Sequence, residues 1–154
     1  MVTFPEILQA NGYRTTHIGK WHLGRDDIQT GPKANGFDMN IAGNHIGTPY
    51  SYYYPFCNQA GECLPNLDVS DSTYQYLTDR LTEEAGSQIK QSNSQPFFLY
   101  LAHYAVHTPL QAKAEKVEKY NRKPAGKHHD NATYAAMVES LDESVGKIIE
   151  ALKE

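Results

Sequence analysis

The chain has 154 residues, a length typical of a single domain. Hydrophobic residues make up 40% and charged residues 21% of it, a globular composition that excludes intrinsic disorder. Fourteen Lys and Arg against eighteen Asp and Glu give a net charge of -4, which argues against nucleic-acid binding through bulk electrostatics. The mean hydropathy of -0.62 and the short apolar runs argue against a transmembrane helix, which needs about 20 apolar residues.

The first predicted elements are a short helix and a strand. Thr3 and Glu6 fit a capping box, in which each side chain accepts a hydrogen bond from the other residue's backbone amide. Gly12 suits the left-handed turn that ends such a helix. The β-branched and aromatic residues 13–18 predict a strand, which leads directly into the segment 19–24, Gly-Lys-Trp-His-Leu-Gly.

A long irregular region follows the first strand. Residues 25–70 show no clear periodicity and are rich in Gly, Pro and Tyr. Structureless stretches of this length are usually functional or disordered, and the aromatic content argues against disorder. We expect residues 25–70, with the aromatic-rich loop 36–70, to form a wall or lid beside a site, and packing within the loop is the alternative role of the tyrosines. Cys57 and Cys63 bracket a plausible turn, and both a local disulfide and two unpaired thiols are consistent with the spacing.

The second half of the chain predicts two helices around one strand. Residues 72–91 predict a helix, and the apolar run 97–102 predicts a strand buried on both faces, as in a parallel sheet. Residues 111–130 carry six basic and three acidic side chains and predict a basic surface loop. The last predicted element is an amphipathic helix with eight apolar residues on one face: Tyr134, Met137, Val138, Leu141, Val145, Ile148, Ile149 and Leu152. Strands that alternate with helices predict an α/β fold with a mostly parallel sheet.

Polar side chains follow both predicted strands. Lys20 and His22 follow the first strand, and His103 and His107 follow the second. Ligands of open α/β sheets bind outside the carboxyl ends of the strands. Two imidazoles and one ammonium converging on that edge would suit an anion with developing charge. A solvated lysine and structural histidines are the alternative roles. The sequence contains no cluster of carboxylates that predicts a metal site, no nucleophile elbow and no phosphate-binding loop.

Residues 12–22, Gly-Tyr-Arg-Thr-Thr-His-Ile-Gly-Lys-Trp-His, match every fixed position of the pattern G-Y-x-[ST]-x-x-[IVAS]-G-K-x-H. This segment resembles the second signature of the type I sulfatases, the formylglycine-dependent enzymes. Further segments resemble the same family and extend over nearly the whole chain: Gly36-Phe37-Asp38, Tyr76-Leu77-Thr78-Asp79, Pro96-Phe97-Phe98-Leu99-Tyr100-Leu101, His107-Thr108-Pro109 and Tyr134-Ala135-Ala136-Met137-Val138-Glu139.

The resemblance implies a sulfuric ester hydrolase on an alkaline-phosphatase-like α/β fold. It implies that Lys20 binds a sulfate oxygen and that His22 contacts the hydroxyl of the formylglycine nucleophile. It further implies that His107 touches the sulfate and the leaving oxygen, as the candidate general acid. The complete enzymes of the family use Ca2+ as well as formylglycine and are mostly exported or lysosomal. The implied substrate is a sulfate ester, notably a sulfated carbohydrate.

The sequence departs from the family at the catalytic centre. The nucleophile signature C/S-x-P-x-R is absent, since neither Cys57 nor Cys63 begins it, and the family's calcium-binding carboxylates have no counterpart. We therefore expect residues 1–154 to be the central part of a sulfatase domain truncated at both ends, inactive alone, and prone to self-association through exposed sheet faces. The alternatives are a fragment of a phosphomonoester or phosphonate hydrolase and a non-catalytic remnant that binds anionic sugar. Substrate specificity is expected in residues 36–70 and 111–130.

Overall fold

The structure, a computed structural model, describes residues 1–67, 75–92 and 95–154. In chain order its elements are α1 (Phe4–Ala10), β1 (Arg14–Gly19), β2 (Met39–Ile41), α2 (Leu77–Lys90), β3 (Phe97–Ala102), α3 (Ala114–Asn121) and α4 (Ala132–Ala151). The three strands form one parallel sheet in the order β2-β1-β3. A parallel sheet with helices before, between and after its strands confirms the predicted α/β fold.

Helix α1 begins with the predicted capping box. The Thr3 hydroxyl oxygen accepts from the Glu6 N–H at 3.4 Å, and the Glu6 carboxylate accepts from the Thr3 N–H at 2.6 Å. Gly36 packs against the first turn with a φ of 88°, and a Cβ at this position would lie 2.3 Å from the Glu6 nitrogen. Glycine at residue 36 therefore permits the close approach of the irregular region to α1.

Strand β1 lies in the middle of the described sheet and is its most buried strand. Asp38 ties β2 to it, because its carboxylate accepts from the Thr15 N–H at 2.8 Å and its own N–H donates to the Thr15 carbonyl at 2.9 Å. The prediction that β3 is buried on both faces is wrong: its residues are mostly half-buried, and Tyr100 is 47% exposed. The reason is that Phe98 and Tyr100 line a groove on one face of the sheet that is open to solvent.

The irregular region supplies much of the hydrophobic core. Tyr52, Phe56 and Leu64 are buried against Ile18 of β1 and Leu77 of α2. This placement supports the loop-packing role for these aromatic side chains. The region also contains β2, which the sequence analysis missed because three residues in a Gly- and Pro-rich context show no measurable alternation.

Cys57 and Cys63 form a disulfide across a local antiparallel bridge. Of the two states that the sequence left open, the structure therefore contains the disulfide.

Helix α2 begins at Leu77, five residues after the predicted start. Residues 72–74 lie outside the described residues, and Tyr76 is extended and forms a bridge with Tyr53.

The predicted basic loop 111–130 contains a helix, α3, so that prediction is wrong. The helix is held by ion pairs to residues distant in sequence: Lys116 contacts Glu143 of α4 at 2.5 Å, and Lys119 contacts Glu139 at 2.7 Å. Lys113 pairs with Asp79 of α2. Local helix propensity does not reveal partners so distant in sequence. Because these lysines form ion pairs with α2 and α4, they hold α3 against its neighbours.

Helix α4 buries a narrow face of mainly small side chains against α2 and α3: Ala136, Met137, Ser140 and Ser144. Most of the predicted apolar face lies beside it and is exposed, namely Tyr134, Val138, Val145, Ile149 and Leu152. The eight apolar residues therefore do not form one buried stripe. No helix in the described part of the chain combines the length and apolarity needed to cross a membrane.

Candidate anion site

Lys20 follows β1 at the carboxyl edge of the sheet. Its backbone N–H donates to the Ala102 carbonyl at the end of β3, at 2.7 Å. Gly19 makes this approach possible, because its φ is 102° and a Cβ there would lie 2.0 Å from the Ala102 oxygen. The half-buried Lys20 ammonium forms no ion pair with any residue that the structure describes.

His22 occupies a backbone conformation that is uncommon for a residue with a side chain. Its φ is 62°, and its N–H donates to the Asn44 carbonyl at 3.0 Å. Its exposed ring rests on Gly47, where a Cβ would lie 2.2 Å from the His22 Nδ1 atom. The irregular region thus fixes His22 through one hydrogen bond and one close contact.

His107 follows β3 and is held by the irregular region in a similar way. Its N–H donates to the Tyr52 hydroxyl oxygen at 3.0 Å, and that hydroxyl donates to the Tyr104 carbonyl at 2.8 Å. Burial raises the pKa of Tyr52 to about 12, so the hydroxyl keeps its proton and can serve both partners. The His107 Nδ1 atom lies 3.1 Å from the Thr108 carbonyl oxygen.

His103 takes no part in this arrangement. Its Nε2 atom lies 2.8 Å from the Ser144 hydroxyl of α4, and that hydroxyl lies 2.6 Å from the hydroxyl of Thr82 of α2. Burial lowers the pKa of His103 to about 4, so the ring is neutral at physiological pH. Of the two alternatives for this residue, the structure supports the structural one.

The residues beneath Lys20 were not identified from the sequence. His17 of β1 is fully buried, and its Nε2 atom lies 3.2 Å from the Lys20 carbonyl oxygen. Its Nδ1 atom lies 3.0 Å from Oδ1 of the buried Asn40 on β2. A histidine in the middle of an otherwise apolar and β-branched strand is the signal that could have pointed to this pair.

One lysine and two histidines therefore follow the carboxyl ends of two adjacent parallel strands. Lys20 and His22 follow β1, and His107 follows the adjacent parallel strand β3. Such a set of donors suits an anion. Over the described ranges no group of three or more His, Cys, Asp or Glu residues could hold a metal ion. These residues therefore do not fit the calcium site that the family resemblance implies.

The sequence model of the Sulfatase family matches residues 1–154. Among curated proteins, the chain is 33% identical over 158 residues to Arylsulfatase J of Mus musculus, covering 98% of this chain and 26% of that protein. It is 31% identical over 168 residues to N-acetylgalactosamine-6-sulfatase of Homo sapiens, covering 97% of this chain and 29% of that protein. The chain thus spans between a quarter and a third of the length of these relatives.

The chain is also similar to solved structures. The structure of Ps i-CgsB in complex with k-i-k-neocarrahexaose is 37% identical, with a TM-score of 0.70 over 97% of this chain and 36% of that one. A protein of the alkaline phosphatase superfamily from Vibrio parahaemolyticus is 17% identical, with a TM-score of 0.51 over 97% of this chain and 31% of that one. The second similarity concerns the fold alone, and it places the three-stranded sheet in an alkaline-phosphatase-like architecture.

Proposed function

The chain belongs to the sulfatase family, and on that premise we propose that it supplies the sulfate-contacting side chains of a sulfuric ester hydrolase. The observation that carries the proposal is the environment of Lys20. Its backbone is tied to β3, while its ammonium has no carboxylate partner among the described residues. A cation held in place without a counter-ion is available to bind a sulfate oxygen.

The two histidines have separate proposed roles. Sulfate transfer builds negative charge on the leaving oxygen, and a proton donor at that atom lowers the barrier. We assign this general-acid role to His107, because it stands at the end of the strand next to Lys20. His22 is proposed to bind the nucleophile hydroxyl, since it lies two residues beyond Lys20 on the same segment.

The sequence contains no nucleophile signature of the family, and the described residues contain no group that could hold the metal. In the complete family enzymes, formylglycine supplies the nucleophile and Ca2+ supplies Lewis-acid assistance. The 154 residues contain no C/S-x-P-x-R sequence. We therefore propose that residues 1–154 are the central part of a larger sulfatase catalytic domain and that the chain alone does not turn over a sulfate ester.

The proposed substrate is a sulfated carbohydrate. N-acetylgalactosamine-6-sulfatase is a relative named for action on a sulfated sugar, and Ps i-CgsB was solved with k-i-k-neocarrahexaose. An exported or lysosomal location is proposed from the family and is supported by the disulfide between Cys57 and Cys63, since disulfides persist in oxidising compartments.

The proposal predicts that the full chain binds inorganic sulfate at Lys20. Isothermal titration calorimetry of the chain should show a weak site that Lys20→Ala and His107→Ala each weaken by about tenfold or more, the scale of a lost charge-assisted hydrogen bond. Gly47→Ala should weaken sulfate binding less, because its methyl group would displace the His22 ring, which is assigned to the nucleophile hydroxyl and not to the sulfate.

The matched control is Gly86→Ala on α2, where a Cβ meets no atom within 4 Å. It should leave sulfate affinity unchanged. Sulfate binding that is insensitive to Lys20→Ala and His107→Ala would overturn the assignment of these residues, as would hydrolysis of an aryl sulfate that survives both substitutions. Phosphate binding much tighter than sulfate binding would favour the phosphoester alternative.

A further inference from the structure

We infer that His17 is held as a buried imidazolium directly behind Lys20 and adds a second fixed positive charge to the candidate anion site. The charge of His17 follows from hydrogen-bond geometry, and its contribution to binding rests on the proposed function. His17 stands at a free position of the G-Y-x-[ST]-x-x-[IVAS]-G-K-x-H pattern, so the sulfatase signature does not specify it.

The first step is the orientation of the Asn40 amide. Its Nδ2 atom donates to the Gly43 carbonyl at 2.8 Å, and its Oδ1 atom accepts from the Gly43 N–H at 3.2 Å. A flipped amide would place two donors together and two acceptors together. The oxygen of Asn40 therefore points at both Gly43 and His17, and it is an acceptor for each.

The second step is the count of acceptors around the ring. The His17 Nδ1 atom faces the Asn40 oxygen at 3.0 Å, and the Nε2 atom faces the Lys20 carbonyl oxygen at 3.2 Å. Neither partner can donate. A neutral imidazole carries one N–H and would direct a lone pair at one of the two oxygens, whereas an imidazolium donates to both.

The surroundings of His17 are largely aromatic, and burial by itself favours the neutral ring. The two oxygens aimed at the ring oppose this effect, because each favours a protonated ring nitrogen. Three aromatic rings enclose the imidazole. Their centroids lie 5.3 Å (Trp21), 5.4 Å (Phe37) and 5.6 Å (Tyr100) from that of His17. Among the described contacts, the titratable Tyr100 faces the ring from β3, the charged residue Lys20 is contacted through its carbonyl, and Asn40 is neutral.

His17 is accordingly a positioning residue and not a catalytic one. Its Nε2–H holds the carbonyl of Lys20, and so fixes the turn from which the ammonium extends. Its charge raises the local positive potential, which favours an anionic ligand over a neutral one.

The charge is tested by NMR on the full chain with 15N-labelled histidine. We expect His17 to show two protonated ring nitrogens at about pH 8, more than a unit above the ordinary histidine pKa of about 6.5. His103 is the internal reference, because it should show one protonated nitrogen, Nε2, at the same pH. A His17 ring with a single protonated nitrogen at that pH would overturn the inference without the need for any variant.

The contribution to binding is tested with His17→Gln, which keeps one amide donor but removes the charge. Its affinity for inorganic sulfate should fall about fivefold, the scale of one opposite charge removed near an anion. Asn40→Asp places a carboxylate beside the His17 ring. In the NMR experiment this variant should keep both ring nitrogens of His17 protonated.

The two proposals fail in different ways. If Lys20→Ala weakens sulfate binding and His17→Gln does not, the role of His17 is wrong while the anion site stands. If neither substitution changes sulfate affinity, the proposed function fails, and the NMR result still decides the charge of His17.

Discussion

At the scale of single residues, backbone hydrogen bonds hold the candidate anion site together. The N–H groups of Lys20, His22 and His107 donate to Ala102, Asn44 and Tyr52 respectively. The Lys20 ammonium and the His22 ring make no hydrogen bond with the described residues. Anchoring through the main chain orients these residues and leaves the side chains available to a ligand, which is the preorganisation that electrostatic catalysis requires.

Tyr52 is the residue whose removal tests this anchoring. In Tyr52→Phe the His107 N–H and the buried Tyr104 carbonyl both lose their partner, so the free energy of unfolding should fall by about 1–3 kcal/mol. Urea denaturation of the chain measures the change. Tyr54→Phe is the matched control, because Tyr54 is 37% exposed, and it should be nearly neutral. Equal stabilities of the two variants would show that the Tyr52 hydroxyl does not hold the His107 segment.

At the scale of elements, α4 meets α2 and the end of β3 through a polar contact. The Thr82 hydroxyl donates to the Thr78 carbonyl, so its oxygen accepts from Ser144, whose oxygen in turn accepts from His103 Nε2–H. This order of donors requires a neutral His103 with its proton on Nε2. Protonation of the buried ring would place a charge between two helices and a strand.

The buried His103 predicts that the chain loses stability in mild acid. Its pKa is about 4 in the folded chain against 6.5 for the ordinary value, so the unfolded chain takes up the proton first as the pH falls. The stabilisation is fully present above about pH 6.5 and is lost as the pH falls towards about 4, by up to about 3 kcal/mol. Unfolding free energies measured across this range should show the slope.

His103→Gln should flatten this part of the pH profile. The control His128→Gln, at an exposed position, should retain the slope. A profile that is unchanged by His103→Gln would mean that other groups cause the acid sensitivity.

At the scale of the whole molecule, two apolar surfaces stand out among the described residues and face solvent. One is the exposed strip of α4, and the other is a groove of about 470 Å³ on the sheet, lined mainly by Phe4, Trp21, Leu23, Phe37, Phe98 and Tyr100. Large contiguous apolar patches on soluble proteins generally mark contact surfaces. Both surfaces accord with the proposal that the chain is the central part of a larger domain.

The exposed strip of α4 predicts that the isolated chain self-associates. Sedimentation velocity should show a mass that rises with concentration, and replacing both Val138 and Val145 with Gln should reduce it by removing apolar surface. The control replaces Lys147 and Glu150 with Gln on the same helix, which leaves the net charge and the apolar strip unchanged. A sharp monomer at all concentrations would contradict the prediction.

The fold could be predicted wherever the signal is local. Three signals depend on neighbours within a few residues: the capping box of Thr3 and Glu6, the apolar run of β3 and the helical periodicity of α4. Each of these elements lies close to its predicted place. Helix α3 and strand β2 could not be predicted in this way, because α3 is held by ion pairs to α4 and β2 by pairing with β1.

The sequence by itself determined the family, the parallel α/β class and the polar residues that follow β1 and β3, because these depend on residue type and spacing. Only the tertiary structure decided that His103 turns to α4 while His107 is held by Tyr52, although both follow the same strand. It alone placed His17 between Asn40 and Lys20. The physical reason is that burial and hydrogen-bond partners, which give a histidine its charge and its direction, come from segments distant in the chain.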